Sequence, residues 1–141
     1  MSNGRISTGA LWAGRVASAL PVLLMVFSAV LKLIKPTGFD EGMQHLGWSG
    51  DKANGLAILE IAICVIYLIP QTAVLGAILI TGYMGGAIAT HLRVDDPYFI
   101  QIGIGIFVWL GLYLRDQRIR DLIPVRSQYD NSRSFYAGRI R

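Results

Sequence analysis

The sequence predicts an all-α membrane protein, a bundle of four transmembrane helices with both termini cytoplasmic and a short interfacial helix between spans one and two. Three observations predict it. Just over half of the 141 residues are apolar and only 16% are charged, against roughly 25% in a soluble domain. The apolar residues gather into four runs near membrane-crossing length. The basic residues segregate to one side of those runs. A soluble globule of this size has too little interior for so much apolar surface.

The first run extends from about Val16 to Ile34 and the second from about Ala53 to Ile69. The third covers about Ala73 to Ala89 and the fourth about Phe99 to Leu114. Each lies near the lower end of the roughly 17–25 residues that cross a bilayer. They are too long for strands, which average about 5–6 residues, and they lack the alternation of a membrane β-barrel. The first run does not read as a cleaved signal peptide: Lys32, Lys35 and Pro36 stand where a small-residue cleavage site would be.

Spans two and three are joined by a tight turn at Pro70-Gln71-Thr72, and spans three and four by the polar stretch from His91 to Pro97. The longer connection from Lys35 to Lys52 places Phe39, Met43 and Leu46 at the spacing of one helix face. This predicts the short interfacial helix, with Trp48 at headgroup depth.

Topology follows from charge. Arg5, Arg15, Arg115, Arg118, Arg120, Arg126, Arg133, Arg139 and Arg141 share the side of the termini, nine in all, whereas Lys32, Lys35, Lys52 and Arg93 make four on the other. The positive-inside rule then puts the termini in the cytoplasm. The organisation expected is an N-terminal cytoplasmic segment over 1–14, the four-helix domain over 15–116 and a basic cytoplasmic tail over 117–141, with an amphipathic helix near Leu122. The same distribution explains the net charge of +4 without nucleic acid as a partner.

Chemistry-bearing motifs are few. Cys64 is the single cysteine, which leaves no disulfide and no Cys-x-x-Cys redox pair. His45 and His91 are the only histidines, so no metal site and no paired-histidine haem site is expected. The phosphate loop, the dinucleotide fingerprint and the nucleophile elbow are all missing from the sequence. Gly82 and Gly86 form a G-x-x-x-G pair on span three. Packing within the bundle is the expected use of that pair, with a homo-oligomer as the alternative. Gly103, Ala57 and Ala62 are expected to serve the same purpose.

Glu60 carries the most information. It sits ~8–12 Å inside the outer boundary of span two at about 1.5 Å per residue. A carboxylate at that depth costs several kcal/mol unless it is paired or protonated. Ala53, Ala57, Glu60, Cys64 and Tyr67 form a small and polar stripe that is expected to face protein. Ser28 and Lys32 on span one, Tyr83, His91 and Arg93 on or just after span three, and Gln101 on span four can reach the same outer half of the bundle. Two readings remain open at this point, a buried ion pair that locks helices together and a pocket or proton relay for a lipophilic ligand.

The order and spacing of Phe27-Ser28-Ala29-Val30-Leu31-Lys32-Leu33, Leu56-Ala57-Ile58-Leu59-Glu60, the run from Thr81 to Arg93 and Trp109 to Asp116 resemble the DoxX-like family of four-helix bacterial membrane proteins. The resemblance spans roughly Arg15 to Pro124, and Thr81-Gly82-Tyr83-Met84-Gly85-Gly86-Ala87-Ile88-Ala89-Thr90-His91-Leu92-Arg93 is its specific part. It implies a four-helix bundle in the bacterial cytoplasmic membrane and an auxiliary subunit linked to quinol oxidation, thiosulfate:quinone oxidoreduction or redox-stress complexes. A quinone or other lipophilic molecule and a redox protein are the partners it implies. The family motif positions carried over are Lys32, Glu60, Tyr83, His91 and Arg93. Without a cysteine pair, a dithiol mechanism like that of vitamin K epoxide reductase has no residues to run on.

The leading expectation is a redox-linked membrane subunit with an outer-half pocket for a quinone-like molecule. In it Glu60, Tyr83 and His91 hold or move protons, while Ser28, Lys32, Arg93 and Gln101 line the pocket. A membrane scaffold and a membrane enzyme acting on a small lipophilic substrate are the alternatives.

Overall fold

The structure, a computed structural model, describes residues 6–122. Every regular element among them is helical: α1 (Thr8–Ile34), α2 (Phe39–His45), a single 3-10 turn (Gly50–Lys52), α3 (Ala53–Leu68), α4 (Ala73–Leu92), α5 (Phe99–Arg115) and α6 (Gln117–Leu122). Two helices, α1 and α4, are long and apolar enough to cross a membrane by themselves, and α5 is a shorter apolar helix. Arg5, Arg126, Arg133, Arg139 and Arg141 lie outside the described residues, as does the tail expected beyond Leu122.

Helix α1 starts well before the apolar run that betrays it. The Ser7 side chain accepts a hydrogen bond from Ala10 N at 3.2 Å, and this N-cap satisfies one of the orphan donors of the first turn. Arg15 lies within the helix, with its guanidinium over the Trp12 ring one turn earlier at 5.4 Å. The helix ends at Lys35, whose left-handed backbone (φ 49) returns its N–H to Leu31 O, and Pro36 prevents continuation. The tight turn between α3 and α4 is closed by Thr72 Oγ1, which donates to Ile66 O at 2.8 Å.

The four long helices form a ring in which α1 packs on α3 and α5, and α4 packs on the same two. Neighbours are antiparallel: Lys32 meets Glu60 while Ser18 meets Tyr67, and Gly14 abuts Arg115. The start of α1 and the end of α5 therefore lie at one end of the bundle, the terminal end. The far end carries α2 and the α4–α5 connection. Helix α2 is the short helix expected in the first connection, and it buries Met43. It is tied down by Arg93, which donates to Leu46 O at 2.8 Å, and by His45 Nε2, 3.0 Å from Asp96 Oδ2.

The surface of the bundle is unlike that of a water-soluble one. Ala29, Ala53, Ala57 and Ala77 are fully buried, while Leu23, Ile58, Ile78 and Ile106 on the four long helices are each more than half exposed. Water would penalise such a surface at about 25 cal/mol per Å². In lipid the tails are as apolar as the side chains, and association depends on close packing of small residues instead.

The small residues that do this are not those expected. A Cβ on Gly82 or Gly86 meets nothing within 4 Å, and the same holds for Gly103; Ala62 is exposed. Packing of the G-x-x-x-G pair inside the bundle is overturned by this open face, because helical phase turns Met84 and Ile80 inward instead. Of that set only Ala57 is buried. The close approaches are made by Gly76, where a Cβ falls on the Tyr67 backbone, and by Gly111, where it falls on Ser18.

Candidate functional site

The expected stripe of α3 faces protein along its whole length: Ala53, Ala57, Glu60, Cys64 and Tyr67 are all buried. Most of it is silent. Cys64 Sγ reaches only Met25 Sδ at 4.0 Å. Glu60 is different, being a carboxylate with 3% exposure, and its neighbours on two adjacent helices are built around it.

From α1, Lys32 Nζ donates to Glu60 Oε1 at 3.0 Å and Oε2 at 3.2 Å. Ser28 stands one turn earlier on the same face, accepts a short hydrogen bond from Lys32 and donates to Glu60 Oε1 at 3.2 Å. From α4, the Tyr83 hydroxyl donates to the same oxygen at 2.7 Å. Oε1 thus gathers three donors and Oε2 one. Such charge-assisted contacts offset part of the desolvation of a carboxylate removed from water. The Lys32 side chain is 15% exposed against 4% for Glu60. The ammonium therefore sits between the buried carboxylate and the surface of the bundle.

His91 and Gln101 form a second polar pair between α4 and α5. His91 Nδ1 is 2.8 Å from Ala87 O. A carbonyl only accepts, so this nitrogen carries the proton, and Nε2 is left to accept from Gln101 Nε2 at 3.3 Å. The other end of that amide, Gln101 Oε1, is buried with no hydrogen-bond partner among the described residues. A buried acceptor of this kind costs about 1–3 kcal/mol when left unsatisfied.

Of the expected site residues, Ser28, Lys32, Glu60 and Tyr83 converge on one carboxylate, and His91 and Gln101 pair with each other. Arg93 goes elsewhere: its guanidinium is exposed, packs on Gly47 and holds the Leu46 carbonyl. No group of three or more His, Cys, Asp or Glu side chains that could hold a metal exists among the described residues.

Sequence reasoning gave no role to a third polar cluster, at the terminal end. The Tyr67 hydroxyl donates to Val108 O at 2.9 Å and bonds Ser18 Oγ at 3.0 Å. Arg115 lies over the Tyr67 ring at 5.2 Å. The signal for it was Gly14-x-x-x-Ser18, a small-residue face on α1 that admits Gly111 and the base of Arg115.

A helical bundle with a lipid-compatible exterior and a buried carboxylate anchored from two neighbouring helices defines the class, a helical membrane protein. The DoxX-like family model matches residues 16–112, and the chain belongs to the DoxX-like family. No curated protein and no solved structure matches the chain.

Proposed function

We propose that the chain is a multi-pass subunit of the bacterial cytoplasmic membrane with both termini in the cytoplasm. Its far, outward half takes a quinone-like or other lipophilic molecule in support of a redox partner protein. The observation that carries this reading is Glu60, a buried carboxylate held by Lys32, Ser28 and Tyr83 at a depth where membrane physics makes an ionisable group expensive. The charge asymmetry of the sequence supports the orientation, and the antiparallel ring, with its lipid-compatible surface on all four long helices, supports the four crossings.

The residues present fit such a molecule. Gln101 Oε1 is a buried acceptor without a donor, which suits a hydroxyl, and Tyr83 and His91 stand on the neighbouring helix with their protons held by Glu60 and the Ala87 carbonyl. A quinone-like molecule supplies a carrier for electrons taken up together with protons. Glu60 holds the Tyr83 hydroxyl and the Lys32 ammonium in place, and Lys32 offers a route for protons from the bundle surface to the carboxylate. His91 in the Nδ1–H tautomer accepts from the Gln101 amide at Nε2 and so fixes which way Gln101 Oε1 points.

The test is purification in mild detergent followed by mass spectrometry of extracted small molecules. A quinone or similar lipid should co-purify with the wild-type chain and be lost from Y83F and Q101L variants that remain folded. Wild-type protein that carries no small molecule, together with stable retention of a partner protein, would sink the pocket. That outcome would favour the scaffold reading, to which the open Gly82–Gly86 face of α4 lends a docking surface.

A further inference from the structure

The terminal end of the bundle carries a second feature, independent of the Glu60 cluster. A cleft of about 430 Å³ opens there, lined by Arg15, Arg115 and Arg118, by Asp116, and by apolar residues that include Ala73 and Leu112. The lining thus holds three arginines and one carboxylate. Arg118 is committed to that carboxylate, with Nη2 3.0 Å from Asp116 Oδ2 and Nε 3.2 Å from Oδ1. Arg15 is exposed and rests on Trp12.

Arg115 is the unusual member. Its guanidinium is drawn in over the Tyr67 ring at 5.2 Å, and its entry is made possible by Gly14, whose hypothetical Cβ would lie 3.0 Å from Arg115 Cβ. Nε and Nη2 are buried and have no hydrogen-bond partner among the described residues. These two nitrogens form one edge of the guanidinium fork, the edge that grips a pair of phosphate or carboxylate oxygens. A cation–π contact compensates the face of the group but not its N–H donors.

We infer that this cleft is a binding site for the phosphate of an anionic phospholipid headgroup, with Arg115 as the bidentate ligand and Arg15 as the second charge. The location selects the source. The cleft lies where the apolar helices end, with Trp12, Val16 and Ile69 exposed at the same end of the bundle. The apolar part of its lining matches the glycerol and first methylenes of a lipid better than a hydrated free ion. Basic pockets between membrane helices are sites of this kind.

The test uses the full-length protein in a neutral detergent, with native mass spectrometry to count retained lipids and thermal unfolding to read their effect. Phosphatidylglycerol should bind about 10-fold or more tightly than phosphatidylcholine and raise the unfolding temperature, as expected for charge-assisted hydrogen bonds. R15Q and R115Q should each lose most of that preference. Arg15 is exposed, so R15Q decides the matter if R115Q fails to fold. Equal retention of the two lipids by the wild type overturns the proposal. So does a phosphatidylglycerol preference that survives in R15Q and in any folded R115Q. Millimolar inorganic phosphate that stabilises the wild type as much as the lipid does would make this a free-anion site and overturn the lipid assignment.

Discussion

The ammonium of Lys32 lies 3.0 Å from Oε1 of Glu60, and the two side chains differ in how far they are withdrawn, with 15% and 4% exposure respectively. That asymmetry decides what each deletion does. In E60L the lysine can turn its long stem outward and recover a polar environment. In K32M the carboxylate has no such exit and must stay buried on Ser28 and Tyr83 or take up a proton. K32M should therefore be the costlier change, about 3–5 kcal/mol for a buried charge stripped of its partner, and E60L about half of that. The K32M/E60L double variant, apolar throughout, should recover to within roughly 1–2 kcal/mol of wild type. Equilibrium unfolding in detergent checks the ranking; equal losses in the two single variants would contradict it.

Tyr83 tests how much of the anchorage is hydrogen bonding. Y83F keeps the ring against the core and removes only the 2.7 Å donor to Glu60. A hydrogen bond to a charged group contributes about 1.5–3 kcal/mol. The same substitution in the E60L background should cost far less, because the acceptor is gone. A double-mutant cycle with no coupling between positions 60 and 83 would show that the hydroxyl is satisfied elsewhere.

Helix α6 hangs on Asp116. Its carboxylate accepts from Arg118 N at 3.0 Å, which caps the first turn, and from Arg118 Nη2 and Nε. The hydrogen bonds from the Arg118 side chain are the main cause that holds the Asp116 carboxyl below its ordinary range, reinforced by the Arg118 backbone N–H and the charges of Arg118 and Arg115 against a smaller opposing effect of burial. A carboxyl with a depressed pKa contributes stability that is fully present above the unfolded value and is lost as pH falls through the folded one. Docking of α6, reported by Ile119 at 3% exposure, should thus hold through neutral and mildly acidic pH and loosen only below the usual carboxylate range. D116N should loosen it at every pH by about 0.5–2 kcal/mol, the range of a lost cap. Hydrogen exchange of the α6 amides reads this directly.

Much of this architecture is legible in the sequence, and the reasons differ by element. The four apolar runs mark the long helices because nothing else tolerates such composition. The inward direction of the α3 stripe follows from helical phase, since an ionisable group amid Leu and Ile has only one acceptable direction to face; which of the polar residues in the outer half meet Glu60 is settled by the structure, in favour of Lys32, Ser28 and Tyr83. The start of α1 is not legible from hydropathy, because Gly9, Gly14 and Arg15 interrupt its first turns and the start is fixed by the Ser7 cap. Nor is the destination of Arg93, a long side chain at a helix end whose nearest acceptor is a loop carbonyl set by the fold of the first connection. The terminal-end cluster was hidden for another reason: Arg115 reads as one of nine topology arginines, and only the path of α1 past α5 shows that it is drawn inward.

Glycine use is where pattern and packing part company, and it supports a sharp contrast. Gly82 and Gly86 match the familiar spacing, yet a Cβ at either enters open space. Gly76 belongs to no such motif, yet a Cβ there would strike Tyr67 Cα and N as well as its Cβ. The obstacle is mostly backbone, so it cannot swing aside as a flexible side chain would, and α3 and α4 would have to separate. That movement would also pull Tyr67 from Val108 O and Ser18 Oγ, the bonds that tie α3 to α5 and α1. G76A should therefore destabilise the bundle by about 1–3 kcal/mol or more, the cost of overpacking a tight contact. G82A and G86A should leave the isolated chain unchanged or stabilise it by up to about 1 kcal/mol, because alanine holds a helix better than glycine. The two sites also separate fold from assembly. A bulky G86L change leaves the bundle intact but blocks close approach along α4. If copies of the chain associate through that face, G86L shifts the oligomer to monomer in detergent while its unfolding temperature stays put. Loss of thermal stability in G86L at a concentration where the wild type is monomeric would instead show that α4 packs its glycines inward, against the geometry described above.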